Sequence, residues 1–310
     1  MRFITSARSD VDDARVKHTW IAGMVGLAVL VTGCSDRAPN AATVSSTSAS
    51  SSAPGSGSLV AADADFTPGR HELSFTVDGV TRTAVLVVPS DLSKPAPVVF
   101  AFHGHGGSGA NFERKLGLEG LWPDAIVMYP DGLTGHKGIT DPTGVLPGWQ
   151  VAAGGEGDRD LAFYDTMLST LRAKLPVDSD RIFVMGHSNG SAFTSLLLNQ
   201  RGDAIAATAN MSSEPGAALF ATDPVRSMFM SMGMADPIVP FDQQQKSIPL
   251  AEQKLGVDPT TGTTDGYLRS EHGRGNLELE TYVHPGGHDV PAEVPALVVA
   301  FFQHHSLSTG

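Results

Sequence analysis

The chain has 310 residues, with 33 acidic and 21 basic side chains, and therefore a formal net charge of −12. Phosphate backbones bind clustered positive charge, so this acidity argues against a nucleic-acid partner and fits neutral or weakly charged substrates. The single cysteine, Cys34, excludes an intrachain disulfide and leaves the globular part without a thiol nucleophile or a thiolate metal site.

The N-terminal segment has the features of an export signal. Its apolar stretch, residues 20–31, reads WIAGMVGLAVLV, which is shorter than the ~20 residues of a membrane-spanning helix and has the length of a signal-peptide core. The stretch ends in Val31-Thr32-Gly33-Cys34, which resembles the bacterial lipobox. We therefore predict a lipoprotein signal peptide over residues 1–33 and lipidation of Cys34. The alternative is an ordinary signal peptide or short anchor with an incidental cysteine.

Residues 34–62 are predicted to be a flexible tether. Residues 45–58 read SSTSASSSAPGSGS and show no apolar periodicity, so they cannot bury enough surface to offset the entropy lost on ordering. Such a spacer lets a folded domain stand away from a membrane. We therefore predict an extracytoplasmic, membrane-anchored lipoprotein with one folded domain over residues 63–310.

The predicted domain begins with a hairpin, because the β-rich runs Glu72–Val77 and Thr81–Val88 flank Asp78-Gly79. Later runs are apolar on both faces, as parallel strands are, and comprise Val98–Phe102, Ala125–Tyr129, Ile182–Met185, Met228–Met232 and Leu279–Val283. Helical patterns lie between or after them, at Asp160–Leu175, Asn189–Gln200 and Pro295–His304. This order predicts an α/β fold with a mostly parallel central sheet, helices on both faces and an antiparallel N-terminal hairpin.

A candidate nucleophile lies where a predicted strand meets a predicted helix, in Gly186-His187-Ser188-Asn189-Gly190. This is the G-x-S-x-G pattern of α/β-hydrolases, whose serine projects from a tight, strained turn. Side chains two residues to either side would collide there, and glycine removes them. The following helix aims amide N–H groups and a positive dipole at the reacting oxygen. We predict that Ser188 is the nucleophile; the alternative is a glycine-rich turn without chemistry.

An acid and a base follow the serine in the chain order that this fold requires. Asp236 and His288 each follow one of the last two predicted strands, in loops where active-site residues of open α/β sheets collect. We predict that His288 takes the serine proton and that Asp236 orients its imidazole. The weaker candidates for these two roles are His284, Asp223 and Asp242.

A glycine-rich loop, residues 103–109 with the sequence HGHGGSG, follows the strand Val98–Phe102. Loops at this place donate a backbone N–H to the oxyanion, together with the residue after the nucleophile, so we predict the amides of His105 and Asn189. His103 and His105 could also ligate a metal, but no third ligand stands nearby at a suitable spacing. We predict no metal and a structural role for His103, bonding loop carbonyls.

Together these features resemble the polyhydroxybutyrate depolymerase and feruloyl esterase group of α/β-hydrolases, from roughly Glu72 to Phe302. The matching segments are HGHGG at 103–107, YPDG at 129–132, GW at 148–149, VDSDR at 177–181, GHSNG at 186–190, ADP at 235–237 with Pro240, and GGH at 286–288. The resemblance implies transfer of an acyl group from an ester to water, without a metal or organic cofactor. It also places a tryptophan near the substrate cleft, so Trp149 is predicted as a substrate contact, with a core tryptophan as the open alternative.

The sequence departs from the family pattern at Ser191, Met232 and Asp289-Val290, where relatives often have glycine, histidine and an aromatic residue. These positions bear on the acyl pocket, so the substrate is predicted only as small or oligomeric feruloyl, acetyl or hydroxyalkanoate esters. The polar loops Gly132–Gly148 and Leu255–Gly275 are predicted to shape the cleft. The competing functions are a serine peptidase of the same fold, which often carries a cap or propeller domain, and a non-catalytic surface lipoprotein.

Overall fold

The computed structural model describes residues 59–61, 64–214, 220 and 223–309. The predicted signal peptide, Cys34 and most of the predicted tether lie outside these residues, and those assignments stay predictions. Within the described ranges, no helix is long and apolar enough to cross a membrane.

The described residues form one eleven-stranded sheet. Its strands are β1 Leu59–Val60, β2 Gly69–Val77, β3 Val80–Val88, β4 Ala96–Phe102, β5 Ile126–Pro130, β6 Val177–His187, β7 Ala207–Met211, β8 Ser227–Gly233, β9 Thr263–Asp265, β10 Leu268–His272 and β11 Glu278–His284. Their spatial order is β1-β2-β3-β5-β4-β6-β7-β8-β11-β10-β9. The central strands from β5 to β11 pair in parallel. The pairs β2–β3, β3–β5, β9–β10 and β10–β11 are antiparallel.

Helices cover both faces of this sheet. They are α1 Gly109–Leu116, α2 Leu118–Leu121, α3 Arg159–Lys174, α4 Asn189–Arg201, α5 Phe241–Gln244, α6 Ser247–Leu255 and α7 Val294–Gln303. Alternate residues of β4 enter two separate cores, as expected from the twofold period of a strand. Phe100 and Phe102 pack with α3, α4 and α6, whereas Val99 and Ala101 pack with α1, α2 and α7. The predicted fold class is confirmed.

The predicted N-terminal hairpin is present, and its turn explains why Asp78-Gly79 specifies it. Both residues have positive φ, 48° and 79°, which matches the backbone of a two-residue hairpin turn that twists with its strands. Val77 pairs directly with Val80, so the register of β2 and β3 follows from the turn.

Two sequence-based boundaries are wrong. The tether does not extend to Ala62, because Leu59 and Val60 pair with Leu73 and Ser74 at the edge of β2 and Ala61 is buried. The short apolar run before Ala62 pairs with the edge of β2, whose backbone groups would otherwise be unpaired on that side. The predicted loop Leu255–Gly275 contains β9 and β10 at the opposite edge of the sheet. Its polar composition reflects the exposure of edge strands.

Candidate active site

The candidate nucleophile, Ser188, joins β6 to α4 with φ 54° and ψ −120°, a conformation that non-glycine residues rarely adopt. Close packing imposes it. A Cβ at Gly186 would lie 2.2 Å from the carbonyl oxygen of Gly190, and a Cβ at Gly190 would lie 2.2 Å from that of Phe102. The Ser188 amide donates to the Met211 carbonyl at 2.8 Å. The turn therefore needs both glycines of the motif and holds the serine at the end of β6.

Three side chains predicted from the sequence meet at this turn. The Ser188 Oγ lies 2.8 Å from His288 Nε2, and His288 Nδ1 lies 2.7 Å from Asp236 Oδ2. Because an ionised carboxylate only accepts hydrogen bonds, Nδ1 carries the imidazole proton and Nε2 is left to accept from the serine hydroxyl. The arrangement can move the serine proton to the histidine.

Asp236 is held as an ionised group. Its side chain is fully buried, which by itself raises the pKa of the carboxyl group, but hydrogen bonds more than offset that effect. His288 and the amides of Ile238 and Val239, at 2.8 and 2.9 Å from Oδ1, lower the pKa below its usual value. Gln244 Nε2 also donates to Oδ2 at 2.9 Å. Asp236 can therefore stay negative beside a protonated His288.

The alternative base and acids take other positions. His284 is buried at the end of β11, where its Nδ1 accepts from the Gly286 amide at 3.2 Å and its ring stacks on Tyr282. Burial lowers the pKa of His284. Among the described residues, neither Asp223 nor Asp242 is hydrogen-bonded to a histidine. The structure thus brings together Ser188, His288 and Asp236 and leaves the three rivals apart.

The two predicted oxyanion donors lie beside the serine. Asn189 is the first residue of α4, and His105 lies in the turn after β4. Within the described ranges, no backbone carbonyl accepts a hydrogen bond from either amide, so both N–H groups are available to a bound oxygen. Their side chains form hydrogen bonds to one segment of chain: His105 Nε2 lies 3.2 Å from Asp141 Oδ2, and Asn189 Oδ1 accepts from the Trp149 amide at 2.7 Å.

Trp149 does not lie where a substrate contact would require. Its side chain is fully buried, stacked on Phe193 with a centroid distance of 5.4 Å and edge-on to Phe102 at 5.2 Å. Its Nε1 donates to the His103 carbonyl at 2.9 Å. A ring packed on these residues cannot stack on a substrate, so the substrate-contact prediction is wrong and the core alternative holds. Trp149 instead supports the loop that carries His105.

His103 has the structural role that the sequence suggested. Its Nδ1 donates to the Gly104 carbonyl at 2.8 Å, and its Nε2 accepts from the Gly132 amide at 3.0 Å. Burial lowers the pKa of this histidine. In the part of the chain that the structure describes, no cluster of three or more metal-ligating side chains occurs.

Comparison with known proteins gives the fold its name. No protein-family model matches the chain. Over 219 residues it is 27% identical to the proposed esterase NocK of Nocardia uniformis subsp. tsuyamanensis, a match that covers 66% of this chain and 61% of NocK. Among solved structures, an acetyl xylan esterase from Aspergillus awamori matches with a TM-score of 0.57 at 16% identity, covering 72% of this chain and 94% of that enzyme. The fold is that of the α/β-hydrolases. A ferulic acid esterase from Anaeromyces mucronatus matches with a TM-score of 0.55 at 15% identity, over 80% of this chain and 93% of that one.

Ser188 opens onto two cavities. The larger has a volume of about 730 Å³ and the smaller about 330 Å³, and both are lined by His105, Thr140, Ser188 and Ile238. The lining of the larger cavity includes the apolar side chains Val151, Ala152, Ala153, Ala192, Leu196 and Val239. The lining of the smaller cavity includes Ser108, Asn111, Lys115, His187 and His288. An ester carbonyl at Ser188 would therefore have room for a group on each side.

The two predicted cleft loops differ in outcome. Residues 136–140 of the Gly132–Gly148 loop line the larger cavity, as expected. The Leu255–Gly275 segment lines neither cavity, because its middle part forms the edge strands β9 and β10.

The departure at Ser191 is accommodated by polar neighbours that the sequence analysis missed. Ser191 is fully buried, its Oγ lies 2.6 Å from Ser213 Oγ, and Asn210 Nδ2 donates to it at 3.1 Å. Asn210 also donates to Ser195 Oγ at 3.0 Å. A hydroxyl can therefore replace the glycine common in relatives without being buried unsatisfied. No sequence pattern marks Asn210, because its partners lie in a helix that precedes it by 15 to 19 residues.

Proposed function

We propose that this chain is a serine carboxylic ester hydrolase that works through an acyl-enzyme on Ser188. The observation that carries the proposal is the pair of hydrogen bonds from Ser188 through His288 to Asp236, at a strand–helix turn of an α/β-hydrolase. The matches to NocK and to solved esterases support the same reaction class.

Acylation begins when Ser188 Oγ attacks the ester carbonyl carbon while His288 Nε2 takes the hydroxyl proton. The carbonyl oxygen becomes an oxyanion, which accepts hydrogen bonds from the amides of His105 and Asn189. Asp236 stabilises the imidazolium that has formed. His288 then gives its proton to the leaving alcohol oxygen as the ester C–O bond breaks, and the acyl group remains on Ser188.

Deacylation repeats these steps with water as the nucleophile. His288 takes a proton from water as the water oxygen attacks the acyl carbon, and the second oxyanion occupies the same amides. The bond to Ser188 Oγ then breaks, and His288 returns a proton to the serine. The balance is ester plus water giving acid plus alcohol, and these steps call on no metal or organic cofactor.

The proposed substrates are small or oligomeric esters with a feruloyl, acetyl or hydroxyalkanoate acyl group. The larger cavity has apolar side chains in its lining and suits an aromatic ring or a short hydroxyalkanoate chain, because burial of apolar surface away from water is favourable. The smaller cavity has room for the other side of the ester. A protein with net charge −12 also disfavours highly anionic substrates through long-range repulsion.

The proposed location is the cell envelope or cell surface, with the chain anchored through lipidated Cys34. The lipobox-like sequence at residues 31–34 and the Ser-rich segment at residues 45–58 support this placement. The partners would then be the membrane and a diffusing ester.

A p-nitrophenyl ester assay tests the reaction class directly. Wild-type protein should release p-nitrophenol, and Ser188→Ala should lower kcat by at least ~10³-fold because the nucleophile is gone. The matched control is Ser169→Ala, since Ser169 lies on α3 and only donates to the Thr166 carbonyl of its own helix. Equal turnover by wild type and Ser188→Ala, with contaminating esterase removed, would refute the assignment.

A further inference from the structure

The two residues predicted to donate their amides to the oxyanion, His105 and Asn189, also bind the segment Leu133–Trp149, here called the clamp segment. His105 binds it through Asp141, and Asn189 binds it at Trp149, accepting from the amide at 2.7 Å and donating to the carbonyl at 3.0 Å. A fourth hydrogen bond runs from the Gly106 amide to the Pro147 carbonyl at 2.8 Å. The oxyanion loop and the clamp segment therefore share one set of contacts.

Asp141 organises the clamp segment from within. Its Oδ1 accepts from Thr143 Oγ1 at 2.9 Å and from the Gly144 amide at 3.0 Å, and its Oδ2 accepts from the Leu146 amide at 2.8 Å. Its backbone exchanges two further hydrogen bonds with Gly138. In the described part of the chain, the carboxylate has one hydrogen-bond partner outside the segment, which is His105.

The charge on Asp141 is stable. The Leu146 amide, most of all, holds the pKa of this carboxyl well below its usual range against the opposing effect of burial, and His105 and Thr143 lower it further. A permanent negative charge therefore faces the His105 imidazole, whose Nε2–H donates to it.

Packing ties the position of His105 to this contact. The His105 side chain is 7% exposed and that of Asp141 is 4% exposed. A Cβ at Gly148 would lie 2.6 Å from His105 Nδ1, so the backbone of the clamp segment packs directly against the ring. The imidazole lies between the Asp141 carboxylate and this backbone. His105 lines both cavities that meet at Ser188, and among the described residues no backbone carbonyl accepts a hydrogen bond from its amide.

We propose that Asp141 is a positioning residue for the oxyanion hole, which holds the His105 amide where the oxyanion forms by fixing the His105 side chain. This inference rests on the proposed ester hydrolysis. An oxyanion donor contributes only at 2.7–3.1 Å from the developing charge, and a displacement of about 1 Å can cost ~10²-fold in rate. Loss of Asp141 should therefore reduce kcat while leaving ground-state binding almost intact, because the His105 amide itself remains present.

The test compares Asp141→Asn and His105→Ala with wild type on p-nitrophenyl acetate. Both variants keep the backbone amide of residue 105. His105→Ala removes the ring, and Asp141→Asn removes the charge and replaces one of the two accepting oxygens with an NH₂ group, so the carboxylate contacts cannot all be kept. We expect kcat to fall about 10- to 100-fold, with KM within about threefold of wild type, for both variants. Affinity for phenylboronic acid, whose tetrahedral adduct on Ser188 places an oxygen in the same site, should fall with kcat/KM.

A double-variant cycle shows whether Asp141 acts through His105. In the His105→Ala background, Asp141→Asn should have little further effect on kcat, because the contact is already lost. Asp258→Asn is the matched control, since Asp258 also caps its own loop, through Thr260, but lines neither cavity. It should remain within about twofold of wild type.

The inference is overturned if Asp141→Asn keeps wild-type kcat, if KM rises while kcat holds, or if its effect is undiminished in the His105→Ala background. If Asp141→Asn fails to fold, His105→Ala is used alone, and the same result is required: a lower kcat with KM close to that of wild type. Wild-type protein that neither hydrolyses the ester nor binds the boronic acid would overturn the proposed function as well. Normal wild-type turnover with an unaffected Asp141→Asn would overturn this inference alone.

Discussion

Arg82 and Asp160 form a buried ion pair that connects β3 to α3. Arg82 Nη2 donates to Asp160 Oδ1 at 2.8 Å, and the two side chains are 1% and 0% exposed. The other carboxylate oxygen accepts from the Gln150 amide at 2.8 Å, and Gln150 Oε1 accepts from the Asp160 amide at 3.0 Å. The pair therefore joins β3, the first turn of α3 and the residue that follows Trp149.

Removal of the Asp160 charge should destabilise the fold strongly. Asp160→Asn leaves the Arg82 guanidinium buried without its counter-charge, which typically costs ~3–5 kcal/mol in the free energy of unfolding. Urea unfolding followed by circular dichroism measures it. The matched control is Asp165→Asn, which breaks the partly exposed pair between Asp165 and Arg201 and should cost within ~1 kcal/mol. Similar losses in both variants would contradict this account of Asp160.

The strands and the three candidate catalytic residues can be predicted from the sequence because each has a signal in its immediate neighbourhood. A buried parallel strand is a short run of apolar residues, and the functional residues of this fold stand just after such runs. Ser188 follows β6, Asp236 follows β8 and His288 follows β11, so each one can be located from its own neighbourhood. β7 lacks this signal, because its sequence ATANM contains few residues that favour strands.

The supporting contacts could not be found in this way. Asp141 lies 36 residues from His105, and Asp160 lies 78 residues from Arg82, so no local sequence pattern marks either pair. Trp149 shows a different limit: resemblance to a family places it near the cleft, but only the packing of its ring shows that it faces the core. Polar contacts between segments that are distant in sequence depend on the assembled fold.

His187 should make the protein sensitive to acid. Burial above all, together with the neighbouring His288 ring at 4.9 Å between centroids, lowers its pKa from an ordinary value near 6.5 to about 3. Its Nε2 is buried without a hydrogen-bond partner among the described residues, although part of the residue reaches the smaller cavity. Between these two pH values the unfolded chain therefore binds a proton that the folded chain does not. The stability contributed by His187 is full above pH 6.5 and is lost as the pH falls towards 3.

A neutral replacement tests this sign. His187→Gln cannot bind the proton in either state. The free energy of unfolding of the variant should therefore rise relative to that of wild type by up to ~1.4 kcal/mol per pH unit as the pH falls from 6 to 4. Urea titrations at pH 7, 6, 5 and 4 for both proteins give the difference, in which the other histidines cancel. Two parallel curves would contradict the expected contribution of His187.

Cys34→Ser should release the protein from membranes. Each buried acyl CH₂ contributes ~0.8 kcal/mol to membrane binding, so loss of the lipid removes the proposed anchor. The purified variant should keep wild-type specific activity, since the described domain contains Ser188, His288 and Asp236. Fractionation of cells and mass spectrometry of the N-terminal peptide measure the two effects, with Ser35→Ala as the control that keeps the anchor. An unmodified Cys34 in membrane-derived wild-type protein would refute lipidation.

The last expectation concerns substrate choice: small soluble esters should be cleaved far faster than solid polyester. The two cavities at Ser188 accept separate groups on either side of one carbonyl, which a diffusing ester can fill directly. A polymer chain must first leave its solid surface, and one folded domain by itself gains little avidity for that surface. The opposing feature is a set of exposed apolar side chains, here called the rim: Ile139 and Val151 line the larger cavity, and Val145 and Leu146 lie in the same loop as Ile139.

A substitution in the rim distinguishes action on solid polyester from action on soluble esters. Adsorption to a solid should depend on the rim, whereas entry of a small ester should not. Clearing of a polyhydroxybutyrate suspension is measured beside turnover of soluble acetyl, butyryl and feruloyl esters, for wild type and for the Val145→Ser variant. We expect rapid soluble turnover, little clearing and no effect of the substitution on acetyl esters. Clearing at a rate comparable to soluble turnover, reduced by Val145→Ser, would mean that the rim binds polymer and that the chain acts on solid polyester.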